Sequence, residues 1–381
     1  MFVIILFYYL YLLFLQYINY KIFIMKKLLI LFLCIITSFL FSCNNKSNEE
    51  IESELSSGVV LIQNASYYEL TLDDGEKLYF SSFDKEKGIE GLAFDEDSVK
   101  VSYSYGTGFL ISEDGMVATN AHVVSNVVAN EDVNNSIEDF LSLLKSSIES
   151  QYNERAEQIR KMQRICTEAL YDDDVSAEDY HQLKQLRDVL IEDKNDLAQK
   201  YNAIDEIRVS DTKIAYHNTV GIAYDDTYIT NTNDYKSCVV KETDVEHDLA
   251  LIQLKDKKTP EDKYIFSLSQ EDPLEEYSMM DDMTKTFSED KNSMLYMISF
   301  NLGPSLATTK EGIKHQFNMG TISQKTKEKI MYSIPTLPGS SGSPVVNKKG
   351  ELVAVNFAGL SGTQNFNYGI RVSYLNKLLK K

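Results

Sequence analysis

Three short motifs in a fixed order constrain this chain more than any other feature of its 381 residues. They are Thr119-Asn120-Ala121-His122-Val123-Val124, then His247-Asp248-Leu249-Ala250-Leu251-Ile252, then Pro338-Gly339-Ser340-Ser341-Gly342-Ser343-Pro344. Together they supply His, Asp and Ser. A serine hydroxyl is a poor nucleophile near neutral pH and needs a base beside it. That base needs a carboxylate to fix its tautomer and stabilise the imidazolium. The pattern predicts His122 as base, Asp248 as its partner and Ser341 as nucleophile.

The local settings agree. Residues 106–118 read as strand, turn and strand, with the turn at Glu113-Asp114-Gly115. His122 is therefore expected at a strand end. Asp248 precedes the apolar run Leu249 to Leu254, where its oxygens must find donors. Taken alone it also reads as a strand-start Asp bonded to nearby N–H groups. His247 is expected on the opposite face, pointing outward. Gly339 and Gly342 let the backbone around Ser341 turn sharply. Such a turn can aim the N–H groups of Gly339 and Ser341 at one point, as an oxyanion hole requires. By itself the segment also reads as a plain Gly/Ser/Pro loop. The order His, Asp, Ser excludes the nucleophile-elbow order (Ser, Asp, His) and the subtilisin order (Asp, His, Ser).

On these residues the chain resembles the trypsin-like (chymotrypsin-fold) serine peptidases, in the style of bacterial Deg/HtrA proteases. The matching stretches are Tyr105 to Val124, Asp244 to Lys255, Leu295 to Pro304, and Met319 to Val372. The resemblance implies a mainly β fold of two packed six-stranded antiparallel barrels with the active site between them. Residues 59–256 would form the first barrel, carrying His122 and Asp248. Residues 257–381 would form the second, carrying Ser341. The implied activity is serine endopeptidase on protein or peptide substrates, with Gly339 and Ser341 as oxyanion donors. Pro335 would lie at the base of the primary pocket. It is not an acid, so small or medium apolar residues are expected there rather than Lys or Arg. Asn356, Phe357 and Ala358 would form the wall along which substrate lies. Two positions depart from the family pattern: Ser343 stands for a glycine, and Ser340 for the Asp of digestive members. No PDZ-like segment is expected after Val372.

The stretch between the His and Asp motifs is longer than a barrel crossover needs. Apolar residues repeat at helical spacing over 137–170 (Ile137, Leu141, Leu144, Ile148) and again over 177–206 (Leu183, Leu186, Leu190, Leu197). Tyr171-Asp172-Asp173-Asp174 breaks the pattern, and Ser176 with Asp179 resembles a capping box. The expected element is a long antiparallel α-helical hairpin over 133–206. It reads either as an inert insertion packed on itself or as an arm for homo-oligomer contact or substrate gating.

The N-terminus holds two apolar segments, 1–24 and 28–42, separated by Met25-Lys26-Lys27. The second has the basic start, apolar run and small residues of a signal peptide, and closes on Leu40-Phe41-Ser42-Cys43. It resembles a bacterial lipoprotein signal, with Met25 as the start and Cys43 as the lipidated residue. A transmembrane hairpin or anchor is the alternative. Either places the chain in the cell envelope, and the lipid would tie it to the membrane of a Gram-negative bacterium. Residues 43–58 read as a flexible acidic tether. Cys166 and Cys238 read as ordinary thiols, with no zinc spacing. No cofactor and no metal are expected. The net charge is −19. Such a surface repels nucleic acid, which is excluded as a partner. A competing reading is a non-catalytic envelope binding or scaffold protein that uses the hairpin.

Overall fold

The computed structural model describes residues 46–126, 128–269, 272–274, 294–359 and 366–380, together with Lys21, Lys26 and Lys27. The signal-like segments and Cys43 lie outside the described residues. No helix among the described residues is long and apolar enough to cross a membrane.

The chain opens with helix α1 (Asn48–Leu55), then runs through β1 (Val59–Thr71), β2 (Lys77–Phe80), β3 (Ser82–Asp84), β4 (Gly88–Glu90), β5 (Ser102–Leu110) and β6 (Met116–Thr119). One helical turn, α2 (Ala121–Val124), carries His122. The long helices α3 (Asn130–Ala169) and α4 (Ala177–Glu206) follow, then β7 (Lys213–Tyr224), β8 (Lys236–Asp244) and β9 (Leu249–Leu254). Strands β1-β5-β6-β9-β8-β7 form a closed ring, because β1 also pairs with β7; β2 extends it beside β1. The second half holds β10 (Met294–Ser299), α5 (Pro304–Ala307), β11 (Thr308–Thr309), β12 (Gly312–Ile313), β13 (Gln316–Lys325), β14 (Lys329–Tyr332), β15 (Pro344–Val346), β16 (Leu352–Gly359), β17 (Asn367–Arg371) and α6 (Val372–Leu378). Its barrel closes in the order β10-β13-β14-β17-β16-β15. The chain thus has the expected two six-stranded antiparallel barrels.

Side-chain alternation explains the packing. Val60 and Ile62 of β1 point into the first barrel with Leu110, Val117, Val220 and Ile252. Val59 and Leu61 point outward and join Phe109, Ala223, Ile298, Phe300 and Val355 in the core between the barrels. Leu295, Met297, Ile330, Tyr332, Val345 and Val353 fill the second barrel.

Two expectations need correction. Residues 48–55 are not a flexible tether. Ser47 and Glu50 form a reciprocal capping box that starts α1, and Ile51 and Leu55 are both 0% exposed against the inter-barrel core. Their i, i+4 spacing puts both on one helix face. Burying them contributes roughly 1.5–3 kcal/mol each, which offsets the ordering of an otherwise polar stretch.

The hairpin is present, but it is not packed only on itself. Val133 and Ile137 of α3 are buried with Tyr68, Leu70, Phe80 and Val209 on the first barrel. Further out, Lys145–Asp205 and Arg155–Asp193 pair across the two helices. At α4 the Ser176 hydroxyl accepts from Asp179 N–H, as the cap pattern requires.

Candidate active site

Asp248 sits just before β9 in a left-handed conformation, with φ of 52°. Asp tolerates this region better than most residues. The turn directs its carboxylate at α2: Oδ1 accepts from His122 N–H at 3.0 Å, and Oδ2 lies 2.7 Å from His122 Nδ1. One carboxylate therefore fixes both the backbone and the ring of His122. Because Nδ1 faces the carboxylate, Nε2 is the ring nitrogen left for chemistry. Asn120, fully buried, donates from Nδ2 to Asp248 O at 2.8 Å and ties the two motifs together. Sequence reading passed over Asn120, although it lies inside the His motif.

His247 turns elsewhere. It is half-buried rather than outward: Nδ1 is 3.0 Å from Asp244 Oδ2, and its ring lies 4.3 Å from that of Tyr374 in α6. The strand-alternation argument fails here because β9 begins only at Leu249.

The loop carrying Ser341 is held from both barrels. From the first barrel, Thr107 of β5 donates its N–H to Ser341 O and its Oγ1 to Gly339 O, each at 2.8 Å. Thr107 Oγ1 also accepts from Phe300 N–H, and Thr107 O accepts from Thr119 Oγ1. Thr119 ends β6, three residues before His122. A short bonded path therefore links the Ser341 loop to the strand that positions His122. The approach is close enough to require glycine: a Cβ on Gly342 would lie 2.1 Å from Thr107 O. Gly342 also has φ of 86°, which other residues rarely adopt.

From the second barrel, Ser340 O accepts three hydrogen bonds, from Ser343 N, Ser343 Oγ and Asn356 Nδ2. Pro338 O accepts from Leu302 N–H at 2.6 Å. In a trans peptide the C=O and N–H point in opposite directions. Anchoring the carbonyls of Pro338 and Ser340 thus turns the N–H groups of Gly339 and Ser341 the other way. Neither N–H has an acceptor among the described residues. Ser343, the residue that departs from the expected glycine, uses its hydroxyl to hold this loop. Ser340 is buried, and Asn356 Nδ2 reaches its Oγ at 3.2 Å.

Asn356, expected in the substrate wall, turns its side chain away from the loop surface. Its side chain is 1% exposed and points into the barrel, where Oδ1 accepts from Tyr332 OH at 2.7 Å. Its backbone still flanks the loop, since Gly342 N–H donates to Asn356 O. Phe357 is half-buried, with Lys329 Nζ 4.9 Å from its ring centre. Ala358 lies in β16 past a register shift at 356–358. Pro335, expected at the base of the primary pocket, is exposed. Asn367 Nδ2 bonds Ile334 O, and Thr336 Oγ1 bonds Asn367 Oδ1, which turns Ile334 inward and Pro335 out. Cys166 and Cys238 are free and buried, and burial pushes the Cys238 thiol up to about 12.

Two closed six-stranded barrels, with a His–Asp pair on one and a serine loop on the other, define the chymotrypsin fold class. Residues 205–355 match the family model of the trypsin-like peptidase domain. The matched range holds Asp248 and Ser341; His122 precedes it, on the far side of the hairpin. No curated protein matches. Among solved structures, a serine endoprotease from Yersinia pestis is similar at 10% identity and a TM-score of 0.40. The match covers 88% of this chain and 66% of that one.

Proposed function

We propose that this protein is a serine endopeptidase, with Ser341 as nucleophile, His122 as general base and Asp248 as the group that orients it. The observation that carries the reading is the two-point grip of Asp248 on His122, through ring and backbone together. Ser341 Oγ attacks the peptide carbonyl as its proton passes to His122 Nε2. The new oxyanion sits between the N–H groups of Gly339 and Ser341. His122 then gives the proton to the leaving amine, and a water repeats the sequence to release the acid. No cofactor takes part.

We place the enzyme in the cell envelope, lipid-anchored through Cys43. The support is the sequence at 40–43. One acyl chain holds a protein to a membrane only marginally, whereas two or more hold firmly. The decisive experiment is labelling with a fluorophosphonate probe. Wild type should be modified at Ser341, and Ser341→Ala and His122→Ala should not. Failure of wild type to label would favour the binding-protein reading. For the anchor, mass spectrometry should find lipid on Cys43, and Cys43→Ala should move the protein to the soluble fraction.

A further inference from the structure

The long hairpin leaves one of its sides apolar and uncovered. None of the 30 residues of α4 is buried, and in α3 only Val133, Ile137, Ile159 and Cys166 are. A helix of that length ordinarily covers its apolar stripe against a neighbour. The large apolar side chains that stay exposed are Phe140, Leu143 and Ile165 on α3, and Leu186 and Val189 on α4. Phe140 and Ile165 lie about seven turns apart and so share a face, with Leu143 about 60° round from Phe140. Leu186 and Ile204 lie about five turns apart and share a face of α4. Ile204 lines the same groove as Phe140 and Leu143. The two faces are therefore one side of the hairpin.

That side is hollow at one end and raised at the other. At the base, a groove of about 710 Å³ lies between the two helices and the strands β3 and β4, with Phe83, Ile89 and Leu92 on its barrel side. At the tip, Ile165, Leu186 and Val189 project, and Leu170 and Tyr171 are exposed in the turn beyond. Uncovered apolar surface of this extent marks an interaction site.

The spacing identifies the occupant. The midpoint between Phe140 and Ile165 falls at Tyr152–Asn153, and that between Val189 and Ile204 at Asp196–Leu197. Tyr152, Asn153 and Leu197 line one crevice between the helices, so the two midpoints are level. A single two-fold axis at that level, perpendicular to the helices, sets Ile165 of each hairpin opposite Phe140 of the other and Val189 opposite Ile204. In a two-fold pair residue i meets j while j meets i, and here both helices agree on one axis. Asp193 and Lys200, two turns apart on the same face, meet across it as well. Each already has a neighbour of opposite sign, Arg155 and Asp196, so this contact favours the register more than the affinity. Residues 140–165 span about 38 Å and two helices are roughly 20 Å wide, so pairing covers about 750 Å² per copy. Specific interfaces cover about 800 Å² per partner.

We propose that this side of the hairpin is the contact surface for a second copy of the chain. The two hairpins pack antiparallel, with the apolar tip of each seated in the groove at the base of the other. The inference does not depend on the peptidase reading.

Sedimentation equilibrium of the full chain in density-matched detergent should give a dimer. Leu143→Glu and Val189→Glu should each weaken it by about 10-fold or more. The two side chains are 71% and 53% exposed in the single chain, so neither change should lower the melting temperature of the monomer. Thr167→Glu, on the far side of α3, should leave the dimer intact. On oxidation, Val189→Cys/Ile204→Cys should form a disulfide-linked dimer above the wild-type background, and neither single variant should. Within one helix these positions are about 22 Å apart, too far to join each other. A parallel pair would instead link through either single variant. A monomer at every concentration, a dimer unaffected by both Glu variants, or linking in the single variants would overturn the proposal.

Discussion

At the scale of single residues, the site is an arrangement in which each group's orientation depends on another's. Ser341→Ala or His122→Ala should each reduce peptide turnover by on the order of 10⁶, since either loss disables the pair as a unit. The double variant should be hardly worse than either single. Asp248→Asn should cost about 10⁴, because an amide favours the wrong His122 tautomer. His247→Gln should cost little, its ring being engaged with Asp244 and Tyr374. A large loss there, measured on protein that stays folded, would mean that the wrong histidine carries the chemistry. Thr107 makes a finer test. It touches neither His122 nor the reacting atoms in this arrangement, but it bonds Gly339 O, Ser341 O and Phe300 N. Thr107→Val leaves Phe300 N–H and Gly339 O without that partner. It should lower kcat by on the order of 10²-fold with a smaller change in KM, the size expected for a small displacement of catalytic groups. Thr107→Ser keeps the hydroxyl and should restore most of the rate. Equal kcat in Thr107→Val and wild type would remove Thr107 from the positioning network.

At the scale of elements, the hairpin shows what could and could not be read from the sequence. Its helical period and its break at 171–174 were legible, because charged faces and a single apolar stripe leave a clear pattern. The way its base joins the barrel was not. Val133 and Ile137 look like any other members of the stripe, and only the structure shows them buried at 0% and 3% against Tyr68 and Phe80. The motifs of the site carry a signal in the sequence that the side-chain directions of the wall do not. His122, Asp248 and Ser341 carry chemistry in their residue types. Asn356 and Pro335 carry only a position in a strand or loop, so which way each side chain faces depends on long-range partners such as Tyr332 and Asn367. Helix α1 was missed because two apolar residues in an acidic stretch are too few to reveal a period. The hairpin also yields a prediction. Excising 133–206 would remove Val133 and Ile137 and expose the barrel face beneath them, at roughly 2–5 kcal/mol for each large apolar group lost. Excising only 148–200, with a short flexible link, spares that base. Loop-closure entropy varies slowly with length, so the shorter deletion should melt cooperatively near wild type and the longer one well below it. Equal melting temperatures for the two would show that the base contributes nothing to the barrel.

At the scale of the whole molecule, the barrels and α1 meet at a second His–carboxylate cluster that the site does not use. His315, between β12 and β13, places Nδ1 2.9 Å from Asp225 Oδ2 in the first barrel and Nε2 3.3 Å from Glu52 Oε1 in α1. Its backbone N–H also donates to Asp225 Oδ1 at 3.0 Å. The neighbouring Lys314–Asp226 pair is balanced in charge. Burial pulls the imidazole down, but the hydrogen bonds and charges of Asp225 and Glu52 outweigh it, so its pKa is raised above the ordinary 6.5. A group whose pKa is raised by folding stabilises the fold fully below its unfolded value and loses that contribution as pH rises through the folded value. The window therefore opens at about 6.5 and extends upward. The net charge of −19 also destabilises the compact state through self-repulsion, but that effect is shared by any variant of one residue. The difference between wild type and His315→Gln isolates the cluster. Thermal melts should show wild type ahead by its full margin below 6.5, with the margin narrowing as pH rises. Glu52→Gln should narrow the same margin without abolishing it, because Asp225 remains. A gap between wild type and His315→Gln that stays constant from acid to alkaline pH would show that His315 acts by shape alone and that the barrels and α1 are not joined by its charge.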